Sequence, residues 1–218
     1  MNLILKIFYN PNEALKTIKD KKPLLLPSAT ILITFLIITL LYIQFVILPN
    51  KESILSERNL PEEAIERAME FMGSPLFYIL TIFSSIFGFF IQTLTLGFIF
   101  FLISTLFKGK GDFIAFFSSA IHIYAINLLG SIVAFPIALL TGNPNVKLNF
   151  SIFLLFLSEK NFFRIFLEQA GFFTLWATFL YGLALHHIGD IERKKGIFIS
   201  FFLWFFYSLF VTIIKIIL

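Results

Sequence analysis

Five long apolar runs, separated by short polar segments, constrain this chain more than any other feature. A helix needs about 20 apolar residues to cross a hydrocarbon core of about 30 Å. The runs that approach or exceed this length are 24–48, 76–107, 113–140, 170–188 and 196–217. The sequence therefore predicts an all-α membrane protein with five transmembrane helices and short amphipathic surface helices, forming a single membrane domain over residues 1–218.

The composition leaves no room for a separate soluble catalytic domain. Hydrophobic residues make up 58% of the 218 residues and charged residues only 14%, a balance that excludes an ordinary soluble protein. Because the chain has no cysteine, it cannot form disulfides, thiolate metal sites or cysteine nucleophiles. The small net charge of +4 gives no support for a nucleic-acid partner, and the lipid bilayer is the expected environment.

The distribution of basic residues predicts the orientation. Loops rich in lysine and arginine stay on the cytoplasmic side during insertion. Three short stretches carry most of these residues and all fall on one side if the N-terminus is cytoplasmic. We therefore expect a multi-pass protein of the cell (cytoplasmic) membrane with its N-terminus inside and its C-terminus outside. The basic residues of these stretches are Lys6, Lys16, Lys19, Lys21, Lys22, Lys108, Lys110, Arg193, Lys194 and Lys195.

A well-delimited helix precedes the first apolar run. Asn10 followed by Pro11, with Glu13 three residues further on, predicts a capping box at its start, and Pro23 ends it. Its apolar residues lie on one side with lysines beside them, which is typical of a helix at a membrane interface. We therefore expect residues 1–23 to form a cytoplasmic interfacial helix; its apolar residues are Ala14, Leu15 and Ile18.

Two further segments are predicted to lie on the membrane surface. In the first, Asn59 or Leu60 before Pro61 starts a short acidic helix, which ends at Gly73 and Pro75. The second, 148–169, contains an apolar stretch too short to cross and has Arg164 and Glu168 one turn apart. The alternative for the second segment is one long tilted span over 162–188.

A polar seam is the most prominent intramembrane feature. Gln92 and Asn127 lie at similar depths from the short turn between the second and third runs, so an amide hydrogen bond between them is geometrically available. Small and polar residues extend the seam along the second run. The seam indicates helix packing or, alternatively, a small solute transporter or channel. The second run contributes Thr81, Ser85, Gly88, Gln92 and Thr95.

The histidines do not predict a metal site. His122 lies well inside the third run, whereas His186 and His187 lie within one turn of the cytoplasmic end of the fourth. We expect His122 to bond to a hydroxyl of a neighbouring helix. Because no carboxylate pair, HExxH motif or GxSxG elbow accompanies the histidines, we expect neither a metal nor a cofactor, and no enzymatic activity.

The order of several landmarks resembles the Yip-one family, the Ypt/Rab-interacting membrane proteins and their prokaryotic relatives. Asn10, Pro11 and Glu13 are similar to the family's N-terminal NPxE motif, and the turn containing Lys110 is similar to its glycine and lysine hairpin. Trp176 stands at the position of its FxxW motif. In the third span Ile123 and Asn127 stand where relatives tend to have glycine and proline.

This resemblance implies a compact five-span helical protein of the prokaryotic type. Eukaryotic relatives act in vesicle trafficking with Rab-type GTPases and carry a long cytoplasmic N-terminal region. Only about 23 residues precede the first span here, so GTPase binding is not expected. The most plausible role is a non-enzymatic scaffold that organises the membrane or binds a membrane-protein partner or a second copy of itself.

Overall fold

The structure, a computed structural model, describes residues 3–56, 61–146 and 148–217. Helices dominate these residues, and the β-type pairing is one isolated bridge between Asn149 and Gly171. The α-helices are α1 (Leu3–Tyr9), α2 (Pro11–Lys21), α3 (Leu25–Tyr42), α4 (Lys51–Ser56), α5 (Glu62–Met72), α6 (Pro75–Leu106), α7 (Phe113–Thr141), α8 (Phe162–Glu168), α9 (Phe172–His187) and α10 (Arg193–Ile217). A π-helical turn, Ile43–Ile47, continues α3, and Phe150–Leu154 is a 3₁₀ helix.

Four helices among the described residues are long and apolar enough to cross a membrane. They are α3 with its π-helical continuation, α6, α7 and α10, and their bounds agree closely with the predicted runs. The remaining predicted span corresponds to α9, which has only 16 residues. The all-α membrane fold is therefore confirmed, whereas length and composition support four candidate spans rather than five.

The described residues form two compact units. The first contains 3–31, 92–130 and 148–217, and the second contains 32–56, 61–91 and 131–146. The helices α3, α6 and α7 each contribute residues to both units.

In the first unit, protein encloses the C-terminal half of α9. Its residues from Leu180 to Leu185 are all buried. A Cβ atom on Gly182 would lie 2.6 Å from Ile197 Cα, so the backbones of α9 and α10 come as close as glycine permits. The same device joins α6 to α7, because a Cβ atom on Gly97 would lie 2.7 Å from Phe117 Cα.

The amphipathic helix α2 packs against this core. The residues on its apolar side are fully buried and belong to the same hydrophobic cluster as α7 and α9. The apolar side of the predicted interfacial helix is thus covered by protein, and the location of the helix at the membrane surface stays a prediction. Amphipathicity specifies an apolar face without specifying whether lipid or protein covers it. The buried residues are Ala14, Leu15 and Ile18, joined by Ile7 of α1.

The second unit contains the C-terminal part of α3, the short helices α4 and α5, and parts of α6 and α7. Tyr42 and Phe135 meet edge to face with ring centroids 5.2 Å apart. The predicted acidic helix is present as α5, which ends before Gly73. Its predicted starting residues, Asn59 and Leu60, lie outside the described residues.

The segment between α7 and α9 forms two short helices rather than part of a long span. Residue 171 is extended, with φ −99° and ψ 154°, and separates α8 from α9. Phe150 N donates to Ala170 O at 3.0 Å beside this break. The alternative of one continuous helix over 162–188 is therefore wrong. Lys215 Nζ lies 3.0 Å from Glu168 Oε2 and connects α8 to α10.

Candidate functional site

The best-defined polar arrangement lies where three segments of the first unit, one helix and two turns, meet. We call it the polar end: the helix α2 with Lys22, the turn 107–112 between α6 and α7, and the α9–α10 connection with its flanking residues, 186–195. Each of these segments carries charged residues and lies next to an apolar helix. Hydrogen bonds and ion pairs join all three, as follows.

Two ion pairs fasten α2 to the two turns. Lys19 Nζ lies 2.6 Å from Asp190 Oδ1, and Lys22 Nζ lies 2.6 Å from Asp112 Oδ2. Both lysines follow the buried residues of α2 at its C-terminal end. The ion pairs thus link residues that are far apart in the sequence, and they orient the exposed side of α2.

Glycines let the two turns touch through their backbones. Lys110 N donates to Gly189 O at 3.2 Å. A Cβ atom on Gly109 would lie 2.4 Å from the same carbonyl oxygen, and one on Gly111 would lie 2.8 Å from Ile188 O. Larger residues at these positions would separate the turns, so the glycines of the predicted hairpin motif are required for this contact.

Three residues with left-handed backbones end helices at the polar end. Lys22, Lys108 and Asp190 have φ values of 46°, 59° and 55°. Glycine is the usual residue in this conformation because it has no Cβ atom. Two of the three, Lys22 and Asp190, also form the ion pairs just described, so their side chains contribute contacts that glycine would lack.

The two histidines at the end of α9 bond to different partners. His186 Nδ1 donates to the carbonyl oxygen of Ile191 at 2.8 Å. His187 Nε2 lies 2.9 Å from Asn12 Oδ1, and the two rings have centroids 4.6 Å apart. The His187 contact adds a third polar link between α2 and the end of α9.

The carboxyl group of Asp112 has a perturbed acidity. Partial burial alone would raise its pKa, but hydrogen bonds from Lys22 and from the amides of Ala115 and Ile114, with the charge of Lys22, outweigh burial and lower the pKa below its ordinary value. The carboxylate also accepts from Ala115 N at 2.9 Å, which caps the first turn of α7.

The N-cap half of the predicted capping box is confirmed. Asn10 Oδ1 accepts from Glu13 N at 3.3 Å, and Pro11 is the first residue of α2. The return contact differs from the expected one. Asn10 Nδ2 donates to Glu13 Oε2 at 2.9 Å, because the backbone N–H of Asn10 already donates to Lys6 O. The carboxylate of Glu13 also pairs with Lys6.

Two other predicted site residues lie in this unit. Trp176 packs edge to face on Phe8, with ring centroids 5.8 Å apart, so α1 also contacts α9. Lys110 contributes its backbone to the turn contact, and its side chain is exposed.

His122 is fully buried in α7, but its bond differs from the one we predicted. Its Nδ1 donates to Ser118 O of the same helix at 2.7 Å, and its Nε2 is buried without a hydrogen-bond partner among the described residues. The hydroxyl that bridges elements here is that of Ser118, which donates to Pro23 O at 2.7 Å. The predicted bond between His122 and a hydroxyl of a neighbouring helix is therefore wrong.

The predicted seam on α6 is displaced by about one residue. Gln92 is exposed, whereas Thr93 is fully buried. An added Cβ atom at Gly88 would meet no atom of the described residues within 4 Å, and the adjacent Phe89 is buried. One residue corresponds to about 100° around a helix, so the buried stripe lies beside the predicted one. The bond between Gln92 and Asn127 stays a prediction.

Sequence reasoning missed the acidic partners of the polar end. Asp112 and Asp190 each follow a glycine in a short turn, and that pattern is a usable signal for a residue that anchors a neighbouring helix. Within 3–56, 61–146 and 148–217, no group of three or more His, Cys, Asp or Glu residues could hold a metal ion. The polar end combines exposed cations with hydrogen-bonding groups, an arrangement suited to ionic recognition.

Comparison with known families gives one result. The family model described as the Yip1 domain matches residues 5–214, nearly the whole chain. No curated protein and no solved structure gives a significant match.

Proposed function

Because the chain belongs to the Yip1-domain family of membrane proteins, we propose that it is a non-enzymatic scaffold that binds a partner through the exposed face of α2. One observation carries this proposal. The helix buries one side in the core, while Asn12, Lys16 and Asp20, spaced four residues apart, remain exposed on the other. A helix held by one face and open on the other offers a rigid polar surface to a membrane-protein partner or to a second copy of the chain.

The proposal includes five crossings of the cell membrane, with α9 as the fourth. Two contacts in the first unit support this assignment. Phe173, at the start of α9, would touch a Cβ atom on Gly130, and the residue after α9, Ile188, approaches Gly111 just before α7. The helix α9 therefore runs antiparallel to α7 over 113–130. Its 16 residues cover about 24 Å.

Five crossings place the two ends of the chain on opposite sides of the membrane, with the polar end in the cytoplasm. Because the chain has no native cysteine, this topology can be tested with single cysteines at Asp20 and at Ile216. A membrane-impermeant maleimide added to intact cells should label the cysteine at 216 and should reach the one at 20 only after lysis. Labelling of both positions from the same side would support four crossings instead.

Partner binding can be tested by photo-crosslinking in native membranes. A photoreactive residue at position 16 or 20 should give one discrete ultraviolet-dependent product, and Asp20→Lys should reduce the product formed from position 16. The matched control is position 63 on the exposed acidic side of α5, which should not give the same product. Two differently tagged copies distinguish a self-assembly product from a separate partner. Equal products from positions 16 and 63 would contradict a specific face.

A further inference from the structure

On the face of α2 that meets the α9–α10 turn, Lys16 forms no ion pair with an acid among the described residues. Asn12 contacts His187 near one end of α2, and Lys19 contacts Asp190 near the other. Lys16 lies between them, one turn from Asn12 and on the same side of the helix. It is therefore positioned over the stretch that connects His187 to Asp190.

The α9–α10 turn supplies a second cation to the same place. Arg193 is the first residue of α10 and follows Asp190 by three residues. The positive charges of Lys16, Lys19 and Arg193 all lie close enough to His187 to act on its imidazole ring. The helix α2 and the α9–α10 turn thus each carry a cation in the neighbourhood of His187.

The local acids do not balance this charge. Asp190 is bonded to Lys19. Asp20 and Glu192 are exposed neighbours, and among the described residues neither forms an ion pair with Lys16 or Arg193. Both of these cations are exposed, so a ligand can reach them from solvent or from the membrane surface.

We propose that four residues, Asn12, Lys16, His187 and Arg193, bind the phosphate group of a phosphomonoester, and we use the name recess for this set of residues. The guanidinium of arginine presents two parallel N–H donors that match a phosphate, and lysine adds a point charge. The side-chain amide N–H groups of Asn12 can donate a further hydrogen bond, and His187 orients that amide because its Nε2 lies 2.9 Å from Asn12 Oδ1. A phosphomonoester carries up to two negative charges and so compensates both uncompensated cations.

The position of the recess next to exposed apolar residues fits a phosphate carried by a lipid. Leu25 and Leu26, at the start of α3, are 89% and 78% exposed and lie a few residues beyond Lys21 and Lys22. In a membrane these leucines meet hydrocarbon, which places the adjoining cations at headgroup depth. A soluble phosphomonoester offers the same chemistry, so the experiment has one arm for each source. The inference does not depend on the proposed function, because a protein without a partner can bind phosphate.

The experiment uses the purified full-length protein in nanodiscs. In the lipid arm, the probe is phosphatidic acid in a phosphatidylcholine background, compared with phosphatidylglycerol, whose phosphate is a diester. In the soluble arm, inorganic phosphate is titrated into phosphatidylcholine nanodiscs. We expect saturable binding in one or both arms, and the arm that responds identifies the source. Absence of saturable binding in both arms would overturn the proposal.

Charge-matched variants separate the recess from general attraction to a basic surface. Lys16→Gln and Arg193→Gln should each weaken binding about tenfold. Lys194→Gln, in the same turn, and Lys160→Gln, just before α8, should change the affinity less than about twofold because these residues lie outside the recess. Equal losses in Arg193→Gln and Lys194→Gln would show diffuse attraction and overturn the proposal.

A spectroscopic readout guards against loss of folding in the variants. The imidazole NMR signals of His186 and His187 should shift on addition of the phosphate probe, while the signal of the buried His122 should stay in place as an internal reference. Lys16→Gln and Arg193→Gln should retain the His122 signal but lose the shift at His187. A shift at His187 that is unchanged in both variants would contradict the assigned recess.

Discussion

Lys22 Nζ lies 2.6 Å from Asp112 Oδ2, so the residue after α2 is bonded to the residue before α7. Both side chains are about half exposed, which limits the contribution of this pair to at most about 1 kcal/mol. Its importance is geometric, because it positions the end of α2 against the α6–α7 turn.

The Lys22–Asp112 pair predicts a pH dependence of stability. The folded state lowers the pKa of Asp112, so the stabilisation is present above the unfolded pKa of about 3.9 and is lost as the pH falls through the folded value. Asp112→Asn keeps an oxygen that can cap Ala115 N but removes the charge. The variant should unfold at a lower temperature than the wild type at pH 7, and the difference should shrink as the pH falls below about 3.9. Asp20→Asn is the control, and a difference that does not shrink below this pH would contradict the charge argument.

Replacement of glycine by alanine should have opposite outcomes at a packed position, Gly182, and at an open position, Gly88. Gly182→Ala should destabilise the protein by about 1–3 kcal/mol, because the new Cβ atom would lie 2.6 Å from Ile197 Cα. Gly88→Ala should cause no loss, because no atom lies within 4 Å of the new Cβ atom and alanine favours the helix. Thermal unfolding in detergent measures both. Similar destabilisation by both variants would contradict the assignment of the packed face.

The capping box predicts a local change in α2. Asn10→Ala removes the acceptor for Glu13 N and should cost about 0.5–2 kcal/mol of helix stability. Hydrogen exchange should therefore accelerate by about 2–30-fold in the first turn of α2. Lys21→Ala changes an exposed residue near the other end of the helix and should leave hydrogen exchange in the first turn of α2 unchanged. Equal exchange of the first turn in Asn10→Ala and the wild type would show that the cap does not hold the helix.

The buried polar residues of α7 predict that serine is more important than histidine for stability. Ser118→Ala removes the bond to Pro23 O and should cost about 0.5–1.5 kcal/mol. His122→Leu removes a ring whose Nε2 has no hydrogen-bond partner in the described part of the chain, so it should cause little loss or a small gain. Ser84→Ala on the exposed side of α6 is the control for the serine substitution. A large loss in His122→Leu alone would show that Nε2 has a bonding role.

The helices could be predicted from sequence because their signals are local. Apolar run length identified α3, α6, α7 and α10, and Asn10 with Pro11 located the start of α2. Run length and helix-start residues depend only on neighbouring residues and on the thickness of a bilayer. They can therefore be evaluated without knowledge of the tertiary structure.

The packing partners could not be predicted because lipid and protein interiors are both apolar. The buried side of α2 looks the same in sequence whether a bilayer or α9 covers it. On α6, small and polar residues pointed to Gln92, whereas Thr93 is buried. The Lys19–Asp190 pair joins residues 171 positions apart, and no local pattern specifies that pairing.

The close approach of α9 and α10 has a consequence for biogenesis. A 16-residue helix whose central residues face protein offers a translocon little lipid-exposed surface with which to partition into the bilayer by itself. The backbone contact at Gly182 becomes available only after α10 has been synthesised. With α9 as a crossing, as proposed above, we therefore expect α9 to settle only after α10 has been synthesised, so that the two helices enter the membrane together as a helical hairpin.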